Sequence, residues 1–437
     1  MTHPPDGPDA ITIRSFPAAT TDSDAADDDT AAWLEAAALS FHQAAPTADH
    51  AGRVAASFRA EGRELTGAYA AHSMPGAWPA TRPVATYATF VKAMNVGPGT
   101  ELDTHLIADV TVRATHRRRG LLRSIMSADL RRAAGNGLPL AALRASEATI
   151  YGRYGFGAGI FTRHVEVHTG GRFALQYTPA GHVEVADPAT LPTVAPQVFD
   201  RFHAQTFGSL RRQAFYPSKI AGIWAEDRPL PDPRVRAALH YDPAGQVDGY
   251  VSYVFVARDG EPTALDIVDL VAASRDAYLG LWRHLASIDL VTVVRYRQAP
   301  ASDPLPWAML DRQDFRTTRV EDGVWLRLLD PAVALRHRHY DVDGQTRIAV
   351  SDPLDIATGT YDLRVRDGNA AVTRTPTDPA HADVSMSMST LSSLYLGGVR
   401  AGLLARAGHV VARSPDALAE FDALLAHRQD PYCTTQF

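Results

Sequence analysis

The spacing of apolar and polar residues changes period several times along this chain, and each change predicts a new element. Ile11–Phe16 alternates like a strand. Asp28, Asp29 and Thr30 then offer an N-cap to an Ala/Leu-rich helix over Ala31–His42. Strands are expected at Val54–Arg59 and Glu64–Ala71, joined at Glu61–Gly62, and again at Val84–Val91. Leu106–Val112 reads as a buried strand that runs directly into Arg117–Arg118–Arg119–Gly120. Leu122, Ile125, Met126, Leu130 and Ala133 recur at helical spacing until Gly135–Asn136–Gly137 stops the helix. Leu138–Ala145 is a further strand, and Ser146 can cap a short helix that carries Tyr151 before Tyr154–Gly155–Phe156 turns extended.

The middle third repeats this order. Leu265–Ala273 is a strand, Arg275–Ile288 a helix and Leu290–Val294 a strand, which suggests a duplicated unit. The second copy reads Ala273–Ser274–Arg275–Asp276–Ala277 where the first has its arginine–glycine turn. Three prolines in Gln298–Pro306 suggest a boundary. The last third has strands near Val324–Leu329, Thr346–Ser351 and Tyr361–Arg366, then helices from Ser389 and over Pro415–Ala426. Strands alternating with crossover helices predict an α/β (α+β) fold with mixed sheets.

Composition narrows the classes. A chain of 437 residues, 46% hydrophobic and 21% charged, is long enough for two or three domains and too apolar to be disordered. Its 43 basic and 49 acidic residues leave a net charge of −6, which disfavours nucleic acid and anionic membranes as partners. Only Lys92 and Lys219 are lysines; the other cations are arginines. Cys433 stands alone, so no intrachain disulfide or Cys-based metal site can form. His337 and His339 have no third ligand nearby in sequence, and no metal is expected. Residues 1–9 read as a disordered tail, and the absence of a basic-then-apolar leader or a membrane-length apolar run suggests a cytoplasmic protein.

The richest chemistry lies at Val110–Ser124. A strand enters a basic turn with one glycine, and the turn opens a helix. Amides at a helix start are unpaired and carry partial positive charge, so they suit a pyrophosphate. Gly120 lets the backbone approach, and Arg117, Arg118 and Arg119 add charge-assisted bonds. A basic turn facing water fits the same residues. Neither the dinucleotide fingerprint nor the P-loop spacing is present, so a phosphate-bearing cofactor of another kind is implied.

Arg117-x-x-Gly120-x-Leu122 resembles the pyrophosphate loop of GCN5-related N-acetyltransferases (GNATs). Ile150–Tyr151–Gly152–Arg153–Tyr154–Gly155–Phe156 resembles their tyrosine helix and following strand. More narrowly, Thr115–Arg123, Ala145–Glu147, Ile150–Arg153, Asp303–Pro306 and Ser393–Gly397 resemble the enhanced intracellular survival (Eis) acetyltransferases across nearly the whole chain. The resemblance implies an acetyl-CoA-binding GNAT domain over 10–165, a degenerate GNAT domain over 166–310 and a sterol-carrier-like domain over 311–437, assembled as a homohexamer. It implies a cofactor site at Val110, Val112, Arg117, Arg118, Arg119, Gly120, Leu121, Leu122 and Ser146, although Ser146 equally serves as a helix cap.

The resemblance also implies roles. Tyr151 is the general acid, where a tyrosine near glycines is otherwise a packed aromatic with a satisfied hydroxyl. The terminal carboxylate of Phe437 is the general base, against the usual fate of a frayed chain end. Relatives that modify polycationic antibiotics carry carboxylates where this chain has Gln43 and Gln436, so attraction for multiply charged amines is weakened here. The expected acceptor is an amine-bearing small molecule or a protein lysine. The alternative is a carrier of lipid or another apolar ligand, working through the last domain on a non-catalytic GNAT scaffold.

Overall fold

Two thirteen-residue strands, Ala85–Gly97 and Thr100–Val112, pair antiparallel across a tight turn. The structure, a computed structural model, describes residues 10–145, 147–170, 173–228, 230–257, 263–376 and 378–437. In the first half, strands β1 (Ile11–Pro17), β2 (Glu64–Ala70), β3 (Ala85–Gly97), β4 (Thr100–Val112), β5 (Leu140–Leu143) and β6 (Gly157–His168) alternate with helices. Those helices are α1 (Asp28–Ser40), α2 (Ala48–Ala60), α3 (Leu121–Gly135) and α4 (Ala148–Tyr151). The second half supplies β7 (His182–Ala186), α5 (Leu191–Gln205), α6 (Tyr216–Ile220), β8 (Val235–Tyr241), β9 (Val247–Val256), β10 (Ala264–Ala272), α7 (Arg275–Ala286), β11 (Val293–Pro300) and β12 (Phe315–Leu328).

All of these strands join one twelve-stranded sheet in the order β1-β2-β3-β4-β5-β12-β6-β11-β10-β9-β8-β7. The parallel pairs are β4–β5 and β10–β11, each bridged by a helix, which is the duplication expected from the sequence. The two halves exchange their last strands. β6 crosses over to pair with β11, while β12 returns to lie between β5 and β6. Phe315–Leu328 therefore lies in the large sheet, although the sequence reading placed 311–437 in the last domain. The expected boundary at Gln298–Pro306 is also displaced, because β11 runs on through Pro300.

The expected strand at Val54–Arg59 is part of helix α2. Thr47 caps it by accepting from the His50 amide at 3.3 Å, and Ala51, Val54, Ala55 and Phe58 are buried while Arg53 and Arg59 are exposed. The burial repeats at three and four residues, a helical period that a six-residue window resembling alternation concealed. The helix at Asp28–Ser40 starts three residues before its expected position, because Asp27 accepts from the Thr30 amide.

The C-terminal unit has a five-stranded sheet, β15-β14-β13-β16-β17, from β13 (Gly344–Ser351), β14 (Gly359–Arg366), β15 (Asn369–Thr375), β16 (Val384–Ser387) and β17 (Val410–Ala412). Its apolar face does not stand apart. Ile348, Tyr361, Leu391, Tyr395 and Phe421 share one buried cluster with Phe90, Leu106, Leu140, Ile160 and Leu326 of the large sheet. At the seam a fully buried Arg327 meets Asp352 at 2.8 and 3.0 Å and donates to Tyr154 O. Asp352 also accepts the amides of Leu354, Ile356 and Ala357.

Removing one partner of such a pair leaves an uncompensated buried charge, at a cost of about 3–5 kcal/mol. Arg327→Met should lower unfolding free energy by that amount in denaturant titration. It should also loosen the turn beneath Tyr151, seen as faster hydrogen exchange at Tyr154–Phe156.

Candidate active site

β4 and β5 pair only from Thr104–Leu140 to Ile107–Leu143; beyond that point β4 runs on to Val112 with its β5-facing edge open. A bulge marks the departure. Thr111 faces Thr86 and Ala108 faces Ala88, which leaves one extra residue on β4. Asp109 adopts a left-handed backbone (φ +52°), and Thr86 Oγ1 donates to its carbonyl at 2.8 Å. Val110 and Val112 are half-buried beside this open edge.

The chain then curls. A 3-10 turn at Ala114–His116 leads to Arg118 (φ +64°) and Gly120 (φ +78°), both left-handed, and α3 begins at Leu121. Gly120 is the N-cap and has no side chain to satisfy the first amides of α3, so the turn presents N–H groups in a concave arrangement. A Cβ there would meet open space, and the positive φ is what favours glycine. Arg117 Nε donates to Val112 O at 3.3 Å, tying the loop to the strand end, and Arg118 and Arg119 are exposed. Leu121 is buried and Leu122 half-buried. Ser146 lies outside the described residues; Glu147 occupies the N-cap of α4 without a side-chain bond.

Tyr151 is 5% exposed and packs edge-on to Phe156, in a cluster with Leu121, Ile125, Val110 and Val112. Among the described residues no group hydrogen-bonds its hydroxyl. Burial, aided by the negative charge of Glu147, pushes its pKa up, so the phenol stays protonated at neutral pH. Below it lies a network unseen in the sequence. Asp129 on α3 accepts from Tyr87 at 2.8 Å and Arg132 at 2.8 Å, and His105 Nε2 lies 2.8 Å away. Burial raises the Asp129 pKa, but these bonds outweigh it and hold the carboxyl below its ordinary value. The network pins α3, and with it the arginine–glycine turn, to the sheet.

The other face of β4 borders a cavity of about 760 Å³. Ala108 and Asp109 form one wall, and Gln43, Gln436 and Phe437 lie in the same lining. The Phe437 ring meets Phe90 edge-on. The residues before it are firmly held. Tyr216 donates to Thr434 O at 2.9 Å, Gln213 Nε2 to Gln436 O at 3.0 Å, and Thr435 Oγ1 to Leu210 O at 2.6 Å. Arg212 forks Asp269 at 2.8 and 2.9 Å and reaches Thr434 Oγ1 at 2.9 Å; burial lowers its pKa but Asp269 overrides this and holds it well above the ordinary value. Tyr432 donates to Gln298 O at 2.6 Å on β11. β10 and β11 pair only up to Asp266–Arg295, so this segment binds where the second parallel pair has separated. Thr434 and Thr435 are fully buried, the reverse of a frayed end. Cys433 is buried too, and burial raises its thiol pKa.

The cavity carries charges that sequence reading did not anticipate. Arg63, 3% exposed, donates through Nη2 to both oxygens of Glu226 at 3.2 Å and stands 3.8 Å from Asp109. Ser57 also donates to Glu226 at 3.0 Å. Burial pushes the Glu226 carboxyl up to about 7 despite Arg63, with Asp109 adding to the rise. Lys219 lies alongside, its pKa lowered by burial and partly restored by Asp227 and Glu226, with Nζ 3.4 Å from Gln436 Oε1. Its singularity as one of two lysines was the one available signal. Elsewhere, the fold brings Asp341 and His427 to His339, with ligand atoms within 4.8 Å of one another, while His337 takes no part. The Arg428 amide already donates to that Asp341 at 2.7 Å.

A splayed parallel pair, a basic turn opening the bridging helix, a duplicate of the same unit and an appended five-stranded unit define a tandem GNAT acetyltransferase with a sterol-carrier-like domain. Residues 23–159 and 208–328 each match the acetyltransferase (GNAT) domain, and residues 331–434 match the sterol carrier protein domain. An uncharacterized N-acetyltransferase of Streptomyces avermitilis is 30% identical over 440 residues, covering 98% of this chain and 99% of its own. N-acetyltransferase Eis of Mycobacterium tuberculosis is 34% identical over 336 residues, covering 74% and 78%. The crystal structure of Eis1 from Mycobacterium abscessus superposes with a TM-score of 0.73 at 28% identity, covering 85% of this chain and 90% of that one. The chain belongs to the Eis family of GNAT N-acetyltransferases.

Glu226 gives a pH test of the cavity. Its pKa in the folded state, about 7, lies above the ordinary 4.5, so between these values the folded protein holds the extra proton. Stability contributed by this group therefore falls as pH rises from about 4.5 through 7. Glu226→Gln should match the parent near pH 4.5 and exceed it by roughly 2–3 kcal/mol at pH 8.5, measured by denaturant unfolding at both pH values.

Proposed function

We propose that this protein transfers the acetyl group of acetyl-CoA to a primary amine by direct attack, with Tyr151 as general acid and the terminal carboxylate of Phe437 as general base. The observation that carries this reading is the position of β4. One stretch of strand, Ala108–Val112, has the cluster of Tyr151 on one side and the cavity of Phe437 on the other. The cofactor supplies an activated thioester; the chain's own residues bind, orient and move protons.

In this reading the amides of Leu121 and Leu122, with Arg117, Arg118 and Arg119, receive the pyrophosphate. The open edge of β4 at Val110 and Val112 pairs with the pantetheine, and its amides serve the thioester oxygen. An ammonium cannot attack, so a base must take its proton. An α-carboxyl has an ordinary pKa near ~3.5 and is a weak base for this step. The protonated phenol of Tyr151 is suited to return a proton to the departing thiolate. Expected assembly is a homohexamer.

The sterol-carrier-like unit has its apolar side chains packed against the large sheet. That supports catalysis over carriage of an apolar ligand. No helix among the described residues is long and apolar enough to cross a membrane.

Tyr151→Phe should lower kcat by roughly 10²–10⁴-fold while leaving CoA affinity within about twofold, read by thiol release and calorimetry. Deleting Phe437 should lower kcat by a similar factor and abolish the acidic limb of the rate–pH profile, which reports the general base. Parental rates in both variants would refute the mechanism.

A further inference from the structure

Only two lysines stand in this chain, and the fold treats them in opposite ways. Lys92 forms an ion pair with Glu61 and does not line the cavity. Lys219, on the short helix α6, lines the cavity that holds Phe437. Among the described residues its one hydrogen bond runs to Gln436 Oε1 at 3.4 Å, and no carboxylate forms an ion pair with it. That bond is long for N–H···O, so it restrains the flexible four-carbon stem only weakly. Nζ also stands 5.5 Å from the centre of the Tyr216 ring, which is fixed by its own bond to Thr434 O.

The surroundings of Lys219 are those the proposed reaction asks of an acceptor. The cavity wall at Ala108–Asp109 is the stretch of β4 that leads into the open edge at Val110 and Val112. Phe437, whose carboxylate takes the amine proton in that reaction, follows Gln436 directly and shares the lining. Gln436 is itself held, its carbonyl accepting from Gln213 at 3.0 Å. Amine, base and strand thus border one space of about 760 Å³, ample for an acetyl group beside the lysine stem. Burial lowers the Lys219 pKa; Asp227, Glu226 and Asp269 work against this and Arg212 works with it. Glu226, whose carboxyl titrates at about 7, opposes the shift less than a full charge would. A larger share of Nζ is therefore the neutral amine that attack requires. Arg63 in the same cavity stays charged and offers no such nucleophile.

We infer that Lys219 is a self-acetylation site, its Nζ taking the acetyl group from acetyl-CoA bound on the first GNAT domain of the same chain. The neutral Nζ attacks the thioester carbonyl, so that a C–N bond forms and the C–S bond breaks. The Nζ proton passes to the terminal carboxylate of Phe437, and the Tyr151 phenol protonates the departing CoA thiolate. Exchange with solvent then returns the carboxyl and the phenol to their starting protonation. The product is a neutral amide beside Gln436, and the cavity loses the cation nearest Asp227 and Glu226. Self-acetylation rests on the acetyltransfer reading for its chemistry, and the test below separates the two.

The parent protein is incubated with acetyl-CoA and no added amine, and acetyl groups are located by tandem mass spectrometry. In parallel, thiol release is followed with phenethylamine, spermidine and kanamycin as added acceptors. Lys219 should gain an acetyl group roughly tenfold or more faster than Lys92, which reports the uncatalysed reaction. The rate should not depend on protein concentration, and excess CoA should suppress it.

Equal labelling of the two lysines overturns the inference, as does a rate that rises with protein concentration. Thiol release with an added amine but an unlabelled Lys219 also overturns it and leaves the acetyltransfer reading standing. A labelled Lys219 without turnover of any added amine supports the inference and counts against those amines as acceptors. No label and no thiol release sinks both.

Discussion

The separation of β4 from β5 beyond Ile107 and Leu143 is the constraint on which the rest of the molecule turns. Two parallel strands that stop pairing leave backbone donors and acceptors exposed along a buried edge, and such groups are expensive unless something bonds them. The bulge at Asp109 commits β4 to this course, because an extra residue shifts the register against β3 and breaks the regular alternation of side chains, so that Ala108 and Asp109 both line the cavity. From that one irregularity follow the open edge at Val110–Val112, the direction in which the arginine–glycine turn leaves the sheet, and the delivery of Asp109 into the cavity.

The second half of the chain meets the same problem and solves it differently. β10 and β11 also part after three residue pairs, but no arginine–glycine turn precedes α7. Side chains from this region bond the end of the chain instead. Arg212, anchored on Asp269, and Tyr216 grip Thr434, and Tyr432 bonds the β11 backbone. One copy of the fold thus keeps an accessible edge while the other fixes the terminal segment that ends in the first copy's cavity. The exchange of β6 and β12 makes the two copies a single sheet, so the seat of the tail and the cavity it enters cannot drift apart.

The appended unit contributes rigidity at the same place. Arg327 on β12 bonds the Tyr154 carbonyl and Asp352 together, and Asp352 in turn gathers three amides of its own loop. The turn after Tyr151 is therefore clamped from the far side by a domain that adds no residue to the cavity until its last few positions. Buried arginines without this degree of bonding are costly, and Arg327 has it where chain segments from different units meet.

What the sequence determined by itself was local. The strand, the basic turn with Gly120, the helix after it and the tyrosine turn are contiguous, and each obeys rules of period, capping and backbone freedom that act over a few residues. The strand-for-helix error at Val54–Arg59 shows the limit of that reach, since a window of six residues does not separate a period of two from one of 3.6. Only the tertiary structure decided the rest. Arg63, Asp109 and the Lys219–Glu226 segment come from three separate stretches, His427 reaches His339 across 88 residues of chain, and β12 lies between strands that precede it by some 150 positions. Burial and field strength at such meeting points depend on distances through space, and the order of residues along a chain carries no measure of those distances.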